Sequence, residues 1–200
     1  DWAVEGPRYR DRILAYLEQQ LRAENVQLAL LSSTPVLSTG KAMSLADQVQ
    51  VAGLLEQHAC WLLENDIQGG LEFEARSCYL RDWVNPDRLM VFSTFEKVMG
   101  PEAPYGYLLS RHLSTQLQRQ FLLRAFRLSS IRQRAIARLY HNGRLDQHLQ
   151  ALRSLLKGHA AAMQARLVEH LGERVTYRAP QAGATHWLRS TEAVDMRRVF

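Results

Sequence analysis

Residues 88–110 read RLMVFSTFEKVMGPEAPYGYLLS. Two runs rich in aliphatic and aromatic side chains, Arg88 to Thr94 and Tyr105 to Ser110, flank a loop holding Lys97, Gly100, Pro101 and Pro104. Runs of this length bounded by Gly and Pro form strands, because the pleat accommodates branched and aromatic side chains while Gly-Pro interrupts a helix. Upstream the same grammar alternates with helical spacing. Val26 to Leu31 is a short apolar run, followed by a loop of small residues from Ser32 to Gly40. Ser44 stands where an N-cap belongs, ahead of Val49, Ala52, Leu55 and Ala59, whose spacing gives a helix one apolar face. Cys60 to Leu63 is a further apolar run, stopped by Glu64-Asn65-Asp66. Earlier still, Val4-Glu5-Gly6-Pro7 reads as a strand end, and Ile13, Leu14, Leu17 and Leu21 give Arg8 to Glu24 a helical period. Strands alternating with helices predict an α/β sheet with parallel pairing.

After Ser110 the pattern becomes helical. One helix runs through Leu113, Leu117, Phe121 and Ala125, a second from near Ser129 to Asn142-Gly143, and a long third through Leu149, Leu152, Leu156, Met163 and Leu167 to Leu171 before Gly172. Val175 to Tyr177 and Ala184 to Leu188 read as two short strands. The expected organisation is an α/β layer over residues 1–110, a helical connector over 111–172 and the start of a small lobe over 173–200.

Composition limits the function classes. With 200 residues, 46% apolar and 22% charged, the chain is long enough for one core and too apolar for disorder. No run approaches the roughly 18 apolar residues of a membrane span, so no membrane partner is expected. Cys60 and Cys78 have no CxxC or Cys/His ligand spacing, which fits a reducing, cytoplasmic setting and no metal. The seven histidines are scattered, without HExxH, and no G-x-G-x-x-G, P-loop or G-x-S-x-G motif occurs. The net charge is +5, and only Lys41, Lys97 and Lys157 of the 25 basic residues are lysines. Eight arginines and no acid fall between Arg111 and Arg144. That stretch could neutralise phosphates, yet Ile131, Ala135, Ile136 and Leu139 within it ask for burial, and arginines on the outer face of such a helix are ordinarily solvated. Two places could carry chemistry. Glu64-Asn65-Asp66 ends an apolar strand, at the edge where α/β sheets bind ligands. Lys97 follows the next strand, where a lysine amine could bond a carbonyl.

In sequence order the chain resembles the aminotransferase-like domain (fold type I, pyridoxal-phosphate dependent) of MocR-type transcriptional regulators of the GntR superfamily. Val4 to Tyr9 resembles V-E-x-P-x-Y, and Pro35 to Ser44 resembles P-x-x-x-P-T-G-x-x-M-S. Trp61 to Asp66 is similar to I-I-E-D-D, and Ser93 to Tyr107 to the lysine loop G-T-F-S-K-x-L-x-P-x-x-R-x-G-Y. Gln133 to Arg153 resembles the Q-x-A-x-A-x-F connector with its H-L-R-x-x-R end, and Arg178 to Trp187 resembles R-P-x-G-G-x-x-x-W. The resemblance implies a partial fold type I large domain of mostly parallel sheet with helices, a helical connector and the start of a small α+β lobe. It also implies that Lys97 is the Schiff-base lysine. The carboxylate that meets the cofactor's pyridine nitrogen falls on Asn65, with Asp66 one residue on. The tyrosine at the ring oxygen is Ile67, the turn asparagine is Leu37 and the phosphate arginine is Pro104. From these departures the expectation is a vestigial site without catalysis, holding no cofactor or pyridoxal phosphate only weakly. The implied role is an effector-sensing and dimerisation domain of a bacterial transcription regulator: a homodimer that answers a small-molecule effector and reaches DNA through a domain this chain does not carry. The alternatives are a fragment of a working pyridoxal-phosphate aminotransferase and a basic nucleic-acid-binding module using Arg111 to Arg144.

Overall fold

The computed structural model describes residues 7–23, 26–35, 42–74, 78–126 and 128–193. The strand end expected at Val4–Gly6 and the turn position Leu37 lie outside the described residues. In chain order the elements are α1 (Pro7–Ala23), β1 (Leu28–Leu31), α2 (Leu45–Gln57), β2 (Trp61–Asn65), β3 (Leu89–Thr94), α3 (Glu96–Met99), β4 (Gly106–Ser110), α4 (Ser114–Leu123), α5 (Ser130–His141), α6 (Arg144–Leu171), β5 (Val175–Arg178) and β6 (Trp187–Ser190).

A four-stranded sheet runs in the order β1-β2-β3-β4. The first three strands are parallel, with Leu30 opposite Leu63 and Asn65 opposite Phe92. The sheet is thus mostly parallel, as expected, and β4 is the exception: it runs antiparallel to β3, Ser93 opposite Tyr107 and Thr94 opposite Gly106. The eleven residues between the two strands, with one turn of helix, are too few for a crossover, which needs a dozen or more, so the chain folds straight back. The close pairing depends on Gly106, because a Cβ there would sit 2.0 Å from the Ser93 carbonyl oxygen. The path from β2 to β3 holds, among its described residues, 3₁₀ turns at Leu80–Asp82 and Pro86–Arg88 and no α-helix.

α1 and α2 cover one face of the sheet. Leu21, Val51, Ala52, Leu55, Leu62, Leu80 and Val84 form the core between them. Ser44 starts α2 as its spacing predicts: the Ser44 hydroxyl accepts the Asp47 N–H at 3.2 Å and donates to the Asp47 carboxylate. Alternation along β2 buries Leu62 and Glu64 on this same face, the first as a core side chain and the second as a charge that needs a partner. α6 begins after Gly143, which holds the left-handed φ of +68°, and ends at Gly172. α4 and α5 bury no described residue, and Leu123, Phe126 and Ile131 are 68–78% exposed. β5 and β6 form a separate antiparallel pair, with Tyr177 opposite Leu188. The last strand thus starts at Trp187 and not at Ala184, because Ala182 bridges back to Glu72 and Gly183 turns with φ +65° before pairing begins.

Candidate functional site

The carboxyl ends of β1, β2 and β3 meet at one edge of the sheet, and side chains lace them together. The Ser32 hydroxyl, just past β1, donates to the Asn65 carbonyl at 2.9 Å. The Asp66 N–H donates to the Phe92 carbonyl, and the Asp66 carbonyl accepts the Ser93 hydroxyl, both at 2.9 Å. The Asn65 side-chain oxygen accepts the Ile67 N–H at 3.0 Å in an Asx turn, which leaves its amide nitrogen as the donor on offer. Past β3, the Thr94 hydroxyl accepts the Glu96 N–H at 3.2 Å and opens α3, where Lys97 stands exposed. The start of that turn is fixed from below by Phe95, buried with its ring 5.6–6.5 Å from those of Tyr105, Tyr107 and Tyr140.

The fold therefore brings Asn65, Asp66 and the Lys97 turn to neighbouring strand ends, as their positions in the sequence suggest. Ile67 is half-buried in the turn after β2, and Pro104 is exposed before β4. A cavity of about 240 Å³ opens beside this edge, lined by Asp66, Tyr79, Arg81, Ser93 and Tyr140 among others.

Beneath the edge lies an ionic cluster that sequence reasoning missed. Glu64, wholly buried, accepts from the Ser33 hydroxyl through one carboxylate oxygen and from Arg81 Nη1 at 3.1 Å through the other. The same Nη1 lies 3.4 Å from the Asp66 carboxylate, and the guanidinium stacks over the Tyr79 ring at 4.0 Å. Tyr79 in turn donates to Glu72 at 3.0 Å. Burial works against the Arg81 charge, but Asp66 and Glu64 outweigh it and hold the guanidinium above its ordinary pKa. Burial, with Glu72 beside the hydroxyl, pushes the Tyr79 phenol up to about 12. At neutral pH the cluster thus contains a fixed cation and an uncharged phenol. Alternation in Trp61-Leu62-Leu63-Glu64 was the available signal, since it puts Glu64 on the core face. No local pattern points to Arg81 as the partner.

The donor set at the edge suits an aldehyde-bearing heteroaromatic ring. It offers an exposed primary amine on α3, an amide donor at Asn65, a carboxylate at Asp66, and backbone that the hydroxyls of Ser32 and Ser93 hold still.

Residues 14–199 match the family Aminotransferase class I and II. The chain belongs to that family. No curated protein matches the sequence. Among solved structures, a kynurenine aminotransferase from Pyrococcus horikoshii superposes with a TM-score of 0.77 at 19% identity, covering 94% of this chain and 48% of that one. An α-aminoadipate aminotransferase from Thermus thermophilus gives 0.73 at 20% identity, covering 85% and 45%. A PLP-bound C-S lyase from Staphylococcus hominis gives 0.72 at 15% identity, covering 88% and 44%. The chain spans less than half the length of these structures, and what it shares with them is the partial fold type I architecture.

Family membership overturns the expectation of a domain without catalysis. That expectation rested on Asn65, Ile67 and Pro104 departing from one motif pattern, and those departures do not take the chain out of an aminotransferase family. The expectation that no cofactor is held, which rested on the same departures, loses its support with it. The match is to the aminotransferase domain as such, and nothing in it singles out a regulator. Among the described residues no helix is long and apolar enough to cross a membrane.

Proposed function

We propose that this chain is the cofactor-facing portion of a pyridoxal-phosphate-dependent enzyme of the class I and II aminotransferase type. The observation that carries the reading is the position of Lys97, an exposed amine on the one-turn helix past β3, beside the β2 end that holds Asn65 and Asp66. Lys97 would bond the cofactor's aldehyde carbon. Asn65 would donate its amide to the ring nitrogen, and Asp66, charge-balanced by Arg81, would set the potential around the ring. When bound, pyridoxal phosphate supplies an electron sink for chemistry at the α-carbon of an amino acid. The protein's own part is orientation: the Asx turn at Asn65 and the Ser93–Asp66 hydrogen bond fix the edge against which a ring would lie.

The test is reduction with borohydride in the presence of pyridoxal phosphate, on the longest natural form of the protein, followed by peptide mapping. The expected result is stoichiometric label on Lys97 at low cofactor concentration, abolished in Lys97→Ala. Label shared among Lys41, Lys97 and Lys157 would refute the reading. The narrower assignment to a MocR-type regulator rests on the order of six motifs alone. It calls for a full-length protein that shifts an operator duplex at physiological salt.

A further inference from the structure

α3 is a single turn, closed off where Gly100 takes the left-handed φ of +89°. A helix ended so early leaves its last carbonyls without backbone partners. One of them, the Val98 carbonyl, is met from another element: His148 Nε2 on α6 lies 2.8 Å from it and acts as the donor. The loop after β2 repeats the arrangement. Gly70 holds φ +86°, and its carbonyl accepts from Arg153 Nε on α6 at 2.7 Å. Between these two contacts Leu149 packs over Gly70, its methyl carbons 3.6–3.8 Å from where a side chain on that glycine would begin. His148, Leu149, Leu152 and Arg153 recur at the three- and four-residue spacing that puts side chains on one side of a helix.

We propose that α6 is a clamp across the carboxyl edge of the sheet, in which His148 positions the turn carrying Lys97 and Arg153 positions the loop following Asn65 and Asp66. Both act through backbone carbonyls, so they are positioning residues and not catalytic ones. The proposal takes its catalytic meaning from the role of Lys97 proposed above, but the clamp itself is a statement about two hydrogen bonds.

Hydrogen exchange on the full chain without cofactor tests it, comparing His148→Gln, whose amide still carries a donor, with His148→Leu, which fills the same space without one. The amides of Val98, Met99 and Gly100, bonded to Phe95 and Glu96 carbonyls, report the turn. In His148→Leu their exchange should rise about fivefold, the effect of one net hydrogen bond, while His148→Gln stays within about twofold of wild type. Arg153→Leu should do the same at Gly69 and Leu71, with α3 unchanged. Acylation of Lys97 by an amine reagent should accelerate in His148→Leu alone. Equal behaviour of the Gln and Leu variants, or no change in either, overturns the clamp. If exchange responds as expected while wild-type Lys97 takes no pyridoxal phosphate label, the clamp stands and the cofactor reading falls; if Lys97 is labelled and exchange does not respond, the reverse holds.

Discussion

Replacing Arg81 by leucine removes one of the two groups that bind the Glu64 carboxylate. Glu64 is wholly buried, and its described partners are the Ser33 hydroxyl and Arg81. In Arg81→Leu a fully desolvated charge would keep a single hydroxyl, and stranding a buried charge in this way costs about 3–5 kcal/mol. That is a large part of the roughly 5–15 kcal/mol that holds an ordinary domain together. For a chain of this length each kcal/mol moves the midpoint by about 2–4 °C, so the expected fall in Tm is on the order of 10 °C. The cost belongs to the uncompensated carboxylate and not to loss of the arginine stem, so neutralising the partner should restore most of it. Arg81→Leu with Glu64→Gln is therefore expected to recover about 2 kcal/mol or more. Thermal and urea unfolding at pH 7 of wild type, the single variant and the double variant decide the matter. An Arg81→Leu protein within about 1 kcal/mol of wild type would refute the reasoning. So would a double variant no more stable than the single.

Three further outcomes are expected. The Tyr79 phenol sits at about 12 when folded, against an ordinary value of 10. The folded state therefore holds that proton more tightly, and the stability this gives is full below pH 10 and is lost between pH 10 and 12, on the order of 1–2 kcal/mol after allowance for solvent screening. Urea midpoints across that window should fall in wild type and flatten in Tyr79→Phe. Gly106→Ala should cost about 2 kcal/mol or more in chemical unfolding, because its Cβ would meet backbone at 2.0 Å, whereas Gly53→Ala on α2, with open space at its Cβ, should gain about 0.5–1 kcal/mol. Ser44→Ala should lower stability by about 1 kcal/mol through loss of the cap on Asp47, and Ser44→Asp should retain most of it.

Helices and strand positions were legible because their signals are local. Ser44 as a cap, Gly143 and Gly172 as helix boundaries, and apolar runs at Leu28–Leu31, Trp61–Leu63 and Leu89–Phe92 each act within a few residues of themselves. The direction of β4 is not local in that sense. It follows from the length of the connection before it, and eleven residues already argue for a fold-back. The site was legible to the level of strand ends, which place Asn65, Asp66 and Lys97 at one edge. Its interior was not, because Arg81 comes from a single 3₁₀ turn, seventeen residues after the glutamate it neutralises. The expectation of no catalysis failed for a related reason. Side-chain identities at three matched positions say which contacts are altered, but not which other groups stand around a ligand.

The α6 contacts also bear on how the length of this chain can change. His148 and Arg153 reach separate loops from one helix, and an α-helix advances each residue by about 100° and 1.5 Å. A single residue inserted between them would swing Arg153 roughly a quarter turn off Gly70 while His148 stayed in place. An insertion of seven residues would keep the phase but carry Arg153 about 10 Å past its carbonyl. The five-residue step from His148 to Arg153 is thus a fixed distance, and insertions and deletions in this part of the chain belong at its margins, near Asn142-Gly143 or beyond Gly172, where the helix begins and ends.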